Sequence, residues 1–385
     1  MVGILGGGQL ARMLALAGAP LGLRFRVVDS VADACAGQVA PLLLADYTDL
    51  AALAGFAREV EVATFDFENV PAQTAHWLAE RVKVFPNPRA LALAQDRLAE
   101  KELFRKLGMD TPAFEPVDSR AGLEQAVLRI GCPAILKTRR LGYDGKGQFR
   151  LRAPGDVEAA WHALGGAPLI LEAFVPFERE VSVVAVRGRD GEFRTWPLTQ
   201  NWHAEGILSA SLAPAPQADR IAARAFECAR QVATELDYVG VFALELFVHD
   251  GRLLANEMAP RVHNSGHWTI EGAGVSQFEN HLRAVLGMPL GDTTARGTAV
   301  MLNWVGELPA RDPVLAEAIA HWHDDGKSPR AGRKVGQATI CAPDSRQVAA
   351  TLERLGRALQ REAQVAPVLA ALGHASRNPQ RTSLP

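Results

Sequence analysis

The first hundred residues alternate between short apolar runs and segments with helical spacing, and this alternation constrains the fold more than any other feature. Apolar runs occupy Val2–Leu5, Phe25–Asp29, Glu61–Phe65 and Val82–Phe85. A chain that alternates strand and helix in this way builds a parallel sheet with helices on its faces. The sequence therefore predicts an α/β domain at the N-terminus.

The pattern changes after the breaker Pro86–Pro88. A helix is predicted from Ala90 to Leu107, and strands dominate from Thr111 onwards. Glycine turns separate the later apolar runs, which predicts antiparallel strands at Val181–Val186, Val239–Val248 and Leu253–Glu257. A third unit begins near Arg296, and 385 residues are too many for one core. The chain is therefore predicted to be a multidomain protein of mixed α/β and α+β class.

Composition and charge narrow the classes of function. Charged residues make up 22% of the chain and apolar residues 48%, as in folded globular proteins. The net charge of -2 offers no attraction to nucleic acid or to an anionic membrane. The four cysteines form no C-x-x-C pair, which predicts free thiols in a reducing compartment. We find no signal-peptide pattern and no apolar run of about 20 residues, so we expect a cytoplasmic protein.

A glycine turn, Gly6-Gly7-Gly8, follows the first strand and leads into a helix that starts at Gln9. Backbone N–H groups and the helix dipole at such a turn attract anions. A dinucleotide site needs the spacing G-x-G-x-x-G and an acid after the second strand. The glycines here do not keep that spacing, although Asp29 does close the second strand. A nicotinamide-dependent oxidoreductase therefore stays open as an alternative from a different class.

A lysine and a glycine-rich loop form the second motif, residues 137–148. Lys137 ends a buried strand and is followed by three glycines and several further cations. The N–H groups of such a loop can close over phosphates while the lysine supplies a point charge. A plain hairpin turn would leave the concentration of basic residues and Asp144 unexplained, so the motif favours a phosphate-binding loop.

Two glutamates interrupt otherwise apolar strands and form the third motif. Glu245 and Glu257 flank the turn at residues 249–251, so antiparallel pairing would bring them to one end of a ribbon. Two carboxylates held close together repel unless a cation lies between them. With phosphates nearby, Mg²⁺ is the natural cation. The alternative is a pair of exposed glutamates on an edge strand.

The fourth motif is the polar, turn-rich segment 259–268, which follows the second glutamate directly. Arg261 could hold a carboxylate or phosphate, and Asn264 could join a metal site. His263 and His267 are either site residues or ordinary loop histidines. A basic cluster near residues 326–336 is either a solvated loop or a phosphate clamp; it comprises Lys327, Arg330, Arg333 and Lys334.

Together these motifs resemble the ATP-grasp superfamily and, more narrowly, its N5-carboxyaminoimidazole ribonucleotide synthetase family. The resemblance runs from residue 2 to about residue 370. Its specificity rests on the order and spacing of the strings GGGQLARML (6–14), FENV (67–70), QDR (95–97), GYDGKGQ (142–148), NEMAPRVHNSGHWT (256–269), SQF (276–278) and HLRA (281–284).

The resemblance implies three domains and a homodimer. An N-terminal Rossmann-like (pre-ATP-grasp) domain would span residues 1–98, a central ATP-grasp domain 99–295 and a small C-terminal domain 296–373, with a tail at 374–385. The nucleotide subdomain would cover about 110–175. ATP and Mg²⁺ are the implied cofactors.

The resemblance also implies a nucleotide site, in which Arg97 and Lys137 contact the ATP phosphates under the 142–148 loop. Residues 172–175 would be a hinge that reads adenine, and Glu180 would bind ribose. The full nucleotide set is Arg97, Lys137, Gly142, Tyr143, Asp144, Gly145, Lys146, Gly147, Gln148, Glu172, Ala173, Phe174, Val175, Glu180, His203, Asn256 and Glu257. The implied Mg²⁺ ligands are Glu245, Glu257 and Asn264.

The second substrate site would hold aminoimidazole ribonucleotide and bicarbonate. Its implied residues are Gly8, Gln9, Glu68, Tyr143, Asp144, Arg261, His263, Asn264, Ser265, Lys327, Arg330, Arg333 and Lys334. The predicted catalytic residues are Asp144, Lys137, Arg261 and Lys327. Asp144 would be the base, because the closing loop would deliver it to the substrate amine.

The implied reaction is phosphorylation of bicarbonate by ATP to carboxyphosphate, which then carboxylates the ribonucleotide in purine biosynthesis. Four positions depart from the family pattern: Leu141, Gln200, His323 and Gln337. A sibling ligase with another acyl donor and a non-catalytic nucleotide sensor remain as alternatives. A biotin-type carboxylase fits less well, because the chain is short and has no evident carrier-lysine motif.

Overall fold

The first sheet is the predicted parallel α/β unit. The computed structural model describes residues 1–142 and 147–376, the last three as backbone only. Five parallel strands lie in the order β3-β2-β1-β4-β5. They are β1 Val2–Leu5, β2 Phe25–Asp29, β3 Leu42–Leu44, β4 Val62–Phe65 and β5 Lys83–Val84, and the helices between them are α1 Gln9–Gly18, α2 Leu50–Glu59 and α3 Ala72–Ala79. Sequence inspection missed β3.

Two helices replace the single helix that was predicted over residues 90–107. They are α4 Pro88–Ala94 and α5 Arg97–Lys106. Asp96 separates them, because its backbone is extended and its carboxylate accepts a hydrogen bond from the first turn of α5. The same carboxylate binds Arg139 at 2.7 Å. The one-helix prediction is therefore wrong, since Asp96 caps a new helix instead of continuing the old one.

A four-stranded antiparallel sheet follows, in the order β6-β9-β7-β8. Its elements are β6 Phe114–Val117, α6 Arg120–Ile130, β7 Ala134–Thr138, β8 Gln148–Leu151, α7 Val157–Leu164 and β9 Leu169–Ala173. Both helices contribute to one apolar core with the sheet. The strand β7 carries Lys137 one residue before its end.

The third and largest sheet has nine strands, in the order β15-β14-β10-β12-β13-β16-β18-β17 with β11 paired to β10. Its first six strands in chain order are β10 Arg179–Arg187, β11 Phe193–Thr195, β12 Thr199–Ala204, β13 Ile207–Ala213, β14 Gly240–His249 and β15 Arg252–Ala259. The helices beside them are α8 Asp219–Glu235, α9 Thr269–Gly272 and α10 Gln277–Leu286. The three predicted antiparallel strands are confirmed as β10, β14 and β15.

The last elements are β16 Thr298–Gly306, α11 Asp312–Leu315, β17 Ala320–Asp324, β18 Arg330–Ala342, α12 Ser345–Ala358 and α13 Glu362–Ser376. Their strands continue the central sheet, because β16 pairs with β13 along four residues. The C-terminal helices then pack on this extension in a core of their own. The domain limits stay predictions, since the sheet runs across the one expected near residue 296. In the described part of the chain, no helix combines the length and apolarity that a membrane span requires.

Candidate active site

A cleft of about 610 Å³ lies where the three sheets meet. The predicted site residues that line it are Gln9, Glu68, Arg97, Lys137, Gly142, Gln148, Glu180, His203, Glu245, Asn256, Glu257, Arg261, His263, Asn264 and Lys334. Lys327 reaches the same region by a hydrogen bond to the Gln9 side chain, across 318 positions of sequence. The fold therefore gathers groups that no local pattern connects.

The glycine turn is closed by two carboxylates. Asp29 accepts a hydrogen bond from the N–H of Gly7 at 2.6 Å. Asp66 accepts hydrogen bonds from the N–H of Gly8 at 2.6 Å and of Ala11 at 2.8 Å. A Cβ on Gly8 would lie 2.4 Å from the Asp66 carboxylate, which explains the glycine. Asp66, which sequence inspection missed, thus sits where the pyrophosphate of a dinucleotide would bind, and this argues against the oxidoreductase.

Lys137 lines the cleft, where Glu172 fixes it. Its ammonium binds the Glu172 carboxylate at 2.8 Å, and Lys101 approaches the same oxygen at 3.4 Å. Lys101 also donates to the backbone carbonyl of Asn256 at 3.0 Å. Burial opposes the charge on Glu172, but the two lysines keep its pKa below the usual value. Sequence inspection missed Lys101, because a lysine in an amphipathic helix gives no sign of being buried.

Arg97, in the first turn of α5, contacts one of the two glutamates of the predicted magnesium site. Its guanidinium donates to Glu257 at 2.7 Å and to the carbonyl of Gly142 at 3.2 Å. Burial opposes ionisation of Glu257, yet Arg97 holds its pKa below the usual value. The neighbouring Glu100 accepts a hydrogen bond from the N–H of Met258 at 2.7 Å, and burial raises its pKa. Glu257 is therefore an anion in this cleft.

The two glutamates of the predicted magnesium site are cross-strand partners on β14 and β15. Asn264 lines the same cleft, and its carbonyl oxygen Oδ1 is buried without a hydrogen-bond partner among the residues that the structure describes. Carboxylates and an amide oxygen left free are ligands that suit Mg²⁺. The chemistry of Glu245, Glu257 and Asn264 therefore fits the ion.

A second group of possible ligands lies close by. One ligand atom each of Glu180, His203 and Glu245 falls within 4.8 Å of the others. The ring of His203 binds Glu180 at 2.8 Å, and this contact raises the pKa of His203 although burial opposes it. Mg²⁺ prefers oxygen to imidazole. The carboxylate pair with Asn264 therefore matches the ligand preference of Mg²⁺ better than this second group does.

Two further cations, Arg261 and Lys334, line the cleft. Arg261 binds Glu68 at 2.5 Å, and this contact lowers the pKa of Glu68 against the effect of burial. Lys334 is buried and binds Asp325 at 2.9 Å. The predicted basic cluster is divided, because Arg330 is exposed and the Arg333 guanidinium donates to the Ser328 carbonyl. Neither arginine lines the cleft as the structure describes it.

Several other predicted residues lie outside the cleft lining. Residues 172–175 do not contribute to it, and Ser265 is fully buried beneath His263. Gly147 has a positive φ of 68°, and a Cβ there would meet Thr138 at 2.5 Å. Tyr143, Asp144, Gly145 and Lys146 lie outside the described residues. Their predicted roles, like those of the whole site, stay predictions.

Two of the departures from the family pattern are neighbours in space. His323 on β17 and Gln337 on β18 are paired in register. His323 binds Glu271 at 2.7 Å, and Gln337 accepts a hydrogen bond from Lys334 at 3.0 Å. The other two, Leu141 and Gln200, are an exposed loop residue at the cleft and a buried residue of β12. The register shows that the first two substitutions belong to one local environment.

Three family models match the chain in order. A ribonucleotide synthetase preATP-grasp domain covers residues 1–95, an ATP-grasp domain 102–278, and a phosphoribosylaminoimidazole carboxylase C-terminal domain 299–351. Fold and cleft thus define the class: the chain is an ATP-grasp protein with a preATP-grasp domain before the ATP-grasp domain and a small domain after it. The predicted fold class is confirmed.

Comparison with known proteins identifies a family within this class. The N5-carboxyaminoimidazole ribonucleotide synthase of Pseudomonas aeruginosa is 53% identical over 89% of this chain and 95% of that protein. The crystal structure of the synthetase from Thermus thermophilus matches with a TM-score of 0.89 and 52% identity, over 93% of this chain and 98% of that one. The enzyme from Aspergillus clavatus, in complex with ADP and 5-aminoimidazole ribonucleotide, matches with a TM-score of 0.86 and 29% identity, over 94% and 98%. This chain belongs to the N5-carboxyaminoimidazole ribonucleotide synthase family.

Proposed function

We propose that this protein is an ATP-dependent carbon–nitrogen ligase. It carboxylates 5-aminoimidazole ribonucleotide with bicarbonate and releases N5-carboxyaminoimidazole ribonucleotide, ADP and phosphate in purine biosynthesis. The observation that carries the proposal is one cleft in which Lys137 and Arg97 face the paired carboxylates Glu245 and Glu257. The solved relative with bound ADP and ribonucleotide supports the choice of substrates.

ATP binds on the side of Lys137 and Arg97. The lysine is held by Glu172, so its ammonium is positioned before nucleotide arrives. Both cations offset the charge that spreads over the phosphoryl group during transfer. Arg97 pairs with Glu257 at 2.7 Å, and a phosphate oxygen would compete for that guanidinium.

Mg²⁺ is the cation that we assign to Glu245, Glu257 and Asn264. When bound, it would neutralise phosphate oxygens and so favour phosphoryl transfer. Glu257 supplies an anion at neutral pH, since its pKa lies below the usual value. Asn264 supplies an oxygen that has no other partner within the described structure.

Bicarbonate and the ribonucleotide bind on the side of Arg261, with Gln9, Lys327 and Lys334 around them. ATP phosphorylates bicarbonate to carboxyphosphate, and a closed pocket protects this intermediate from water. Carboxyphosphate then releases CO₂, which the exocyclic amine of the ribonucleotide attacks. We assign the base that removes the amine proton to Asp144, which lies in the undescribed part of the 142–148 loop.

The decisive assay measures ADP release with ATP and Mg²⁺, with and without bicarbonate and the ribonucleotide, together with direct detection of the carboxylated product. ADP release that depends on the ribonucleotide, with matching product, is the expected result. ATP binding without such turnover would favour a sibling ligase or a nucleotide sensor instead. Protection against heat by a nicotinamide cofactor but not by ATP would revive the oxidoreductase.

The family resemblance also supports a homodimer in the cytoplasm. Sedimentation of the purified protein would test the dimer, with a mass of twice 41.4 kDa as the expected result.

A further inference from the structure

A chain of buried polar side chains crosses the central sheet and ends at the cleft. Ser211 on β13 donates to the Oδ1 atom of Asn201 on β12 at 2.8 Å. The amide of Asn201 donates to the hydroxyl of Ser182 on β10 at 3.0 Å. Ser182 and Ser265 are joined by their hydroxyls at 2.7 Å. All four side chains are buried, so these contacts are sheltered from water.

The chain continues into the site through His263. The hydroxyl of Ser265 lies 2.8 Å from His263 Nδ1, and the other ring nitrogen, Nε2, lies 3.1 Å from the Glu245 carboxylate. Glu245 and Ser182 are themselves register partners on β14 and β10. The polar stripe thus starts on β13 and ends at the predicted magnesium site.

The direction of the hydrogen bonds in this chain is set by groups that can only donate a hydrogen. The backbone N–H of Ser265 points at His263 Nδ1 from 3.3 Å, and an N–H can only donate. The Nδ1 atom of His263 is therefore an acceptor, so the ring proton sits on Nε2. The hydroxyl of Ser182 accepts from Asn201 and passes its own hydrogen to Ser265, which donates to Nδ1 in turn. Every donor in the chain points towards Glu245.

The backbone of His263 is fixed separately. The side-chain amide of Gln277 accepts a hydrogen bond from the N–H of His263 at 2.8 Å and donates to its carbonyl at 2.6 Å. A Cβ on Gly266 would lie 2.6 Å from that amide, so glycine is required for the approach. With the backbone held by Gln277, the hydroxyl of Ser265 can set the orientation of the ring.

We propose that Ser265, Ser182 and Asn201 are positioning residues that hold His263 with its proton on Nε2. His263 then directs its Nε2–H at the Glu245 carboxylate. It orients that carboxylate in the cleft, and so acts on the reaction through Glu245. This kinetic role rests on the proposed function, whereas the position of the proton does not.

The test compares two buried serines at opposite ends of the chain. Ser265→Ala removes the hydroxyl that contacts His263, and Ser211→Ala removes a hydroxyl three links away in the same sheet. Both lose buried hydrogen bonds and are expected to lower the melting temperature. Only Ser265→Ala is expected to lower kcat, by about 10- to 100-fold, with KM for ATP unchanged within about twofold. Ser182→Ala should lower kcat by an intermediate factor. This variant replaces Ser265→Ala in the comparison if Ser265→Ala does not fold.

The proton itself is observed by long-range ¹H–¹⁵N correlation spectra of protein labelled at histidine, with His263→Asn to assign the signal. The wild-type ring and the Ser211→Ala ring should both show the Nε2–H tautomer, and Ser265→Ala should show a mixture. An Nδ1–H tautomer in the wild type, or equal loss of kcat in Ser265→Ala and Ser211→Ala, would overturn the proposal. Wild-type protein without ribonucleotide-dependent ADP release would refute the proposed function and leave the spectra as the test of the tautomer.

Discussion

His281 is a buried histidine whose protonation should destabilise the fold at mildly acid pH. It lies on α10, and its Nδ1 atom accepts a hydrogen bond from the N–H of Val241 at 3.0 Å. Its Nε2 atom therefore carries the proton and donates to Thr64 at 2.8 Å. The ring thus joins β4 of the first sheet to β14 of the third. A second ring proton would face the N–H of Val241, so the native protein requires the neutral ring.

The magnitude follows from linkage. Burial lowers the pKa of His281 from 6.5 to about 4 in the folded protein. Below pH 6.5 the unfolded chain binds a proton at this residue and the folded protein does not, so the free energy of unfolding falls as the pH falls. Each unit of pKa corresponds to about 1.36 kcal/mol, so roughly 2.5 kcal/mol is lost between pH 7.5 and 4.5. Below the folded pKa no further loss occurs.

His281→Gln is the informative variant, because glutamine can keep both hydrogen bonds but cannot titrate. Urea unfolding followed by tryptophan fluorescence at pH 7.5, 6.5, 5.5 and 4.5 gives the free energy of unfolding for both proteins. Other titrating groups act on both and cancel in the difference. We expect the advantage of the wild type to shrink by roughly 2.5 kcal/mol across this range. A difference that does not change with pH would refute the reasoning.

Three further changes probe the cleft. Asp144→Asn should leave ATP binding nearly intact and lower turnover by about 10²-fold, and unchanged turnover would remove Asp144 as the base. Glu257→Gln should raise the Mg²⁺ concentration needed for half-maximal activity by about 10-fold or more, and a normal Mg²⁺ titration would contradict the metal assignment. Lys101→Met should raise KM for ATP by about 10-fold, because Lys137 alone would then neutralise Glu172. The matched control is Lys106→Met, which removes an exposed lysine from the same helix. Equal KM values in these two variants would show that Lys101 does not position Lys137.

The hairpin that carries the two glutamates shows how far local pattern can be followed. Apolar alternation and a glycine turn predicted both strands, and the structure pairs Glu245 with Glu257 directly. A period of two residues fixes which side chains share a face, so the pairing was within reach of sequence. The strand that pairs with this hairpin could not be predicted from the sequence, because β10 joins β14 across more than 50 intervening residues.

The basic cluster near residue 330 shows the opposite case. Four cations fall within eight residues, yet Lys334 lines the cleft while Arg330 is exposed. Spacing along the chain does not decide which cation is buried, because that depends on Asp325 and on strands that pair far away in sequence. Lys101 and Asp66 were missed for the same reason, since their partners come from other elements.

Reading the sequence was enough to establish the class of this protein, about half of its strands and helices in order, and about half of the residues that line the cleft. These features depend on local periodicity, turn chemistry and ordered motifs, which can be recognised from the order of residues along the chain. The folded arrangement was needed to show that the C-terminal strands extend the central sheet and that Asp66 closes the glycine turn. It was also needed to show that a row of hydroxyls and an amide reaches His263. These contacts join residues that are distant in sequence, and no local pattern encodes the pairing of one distant strand with another.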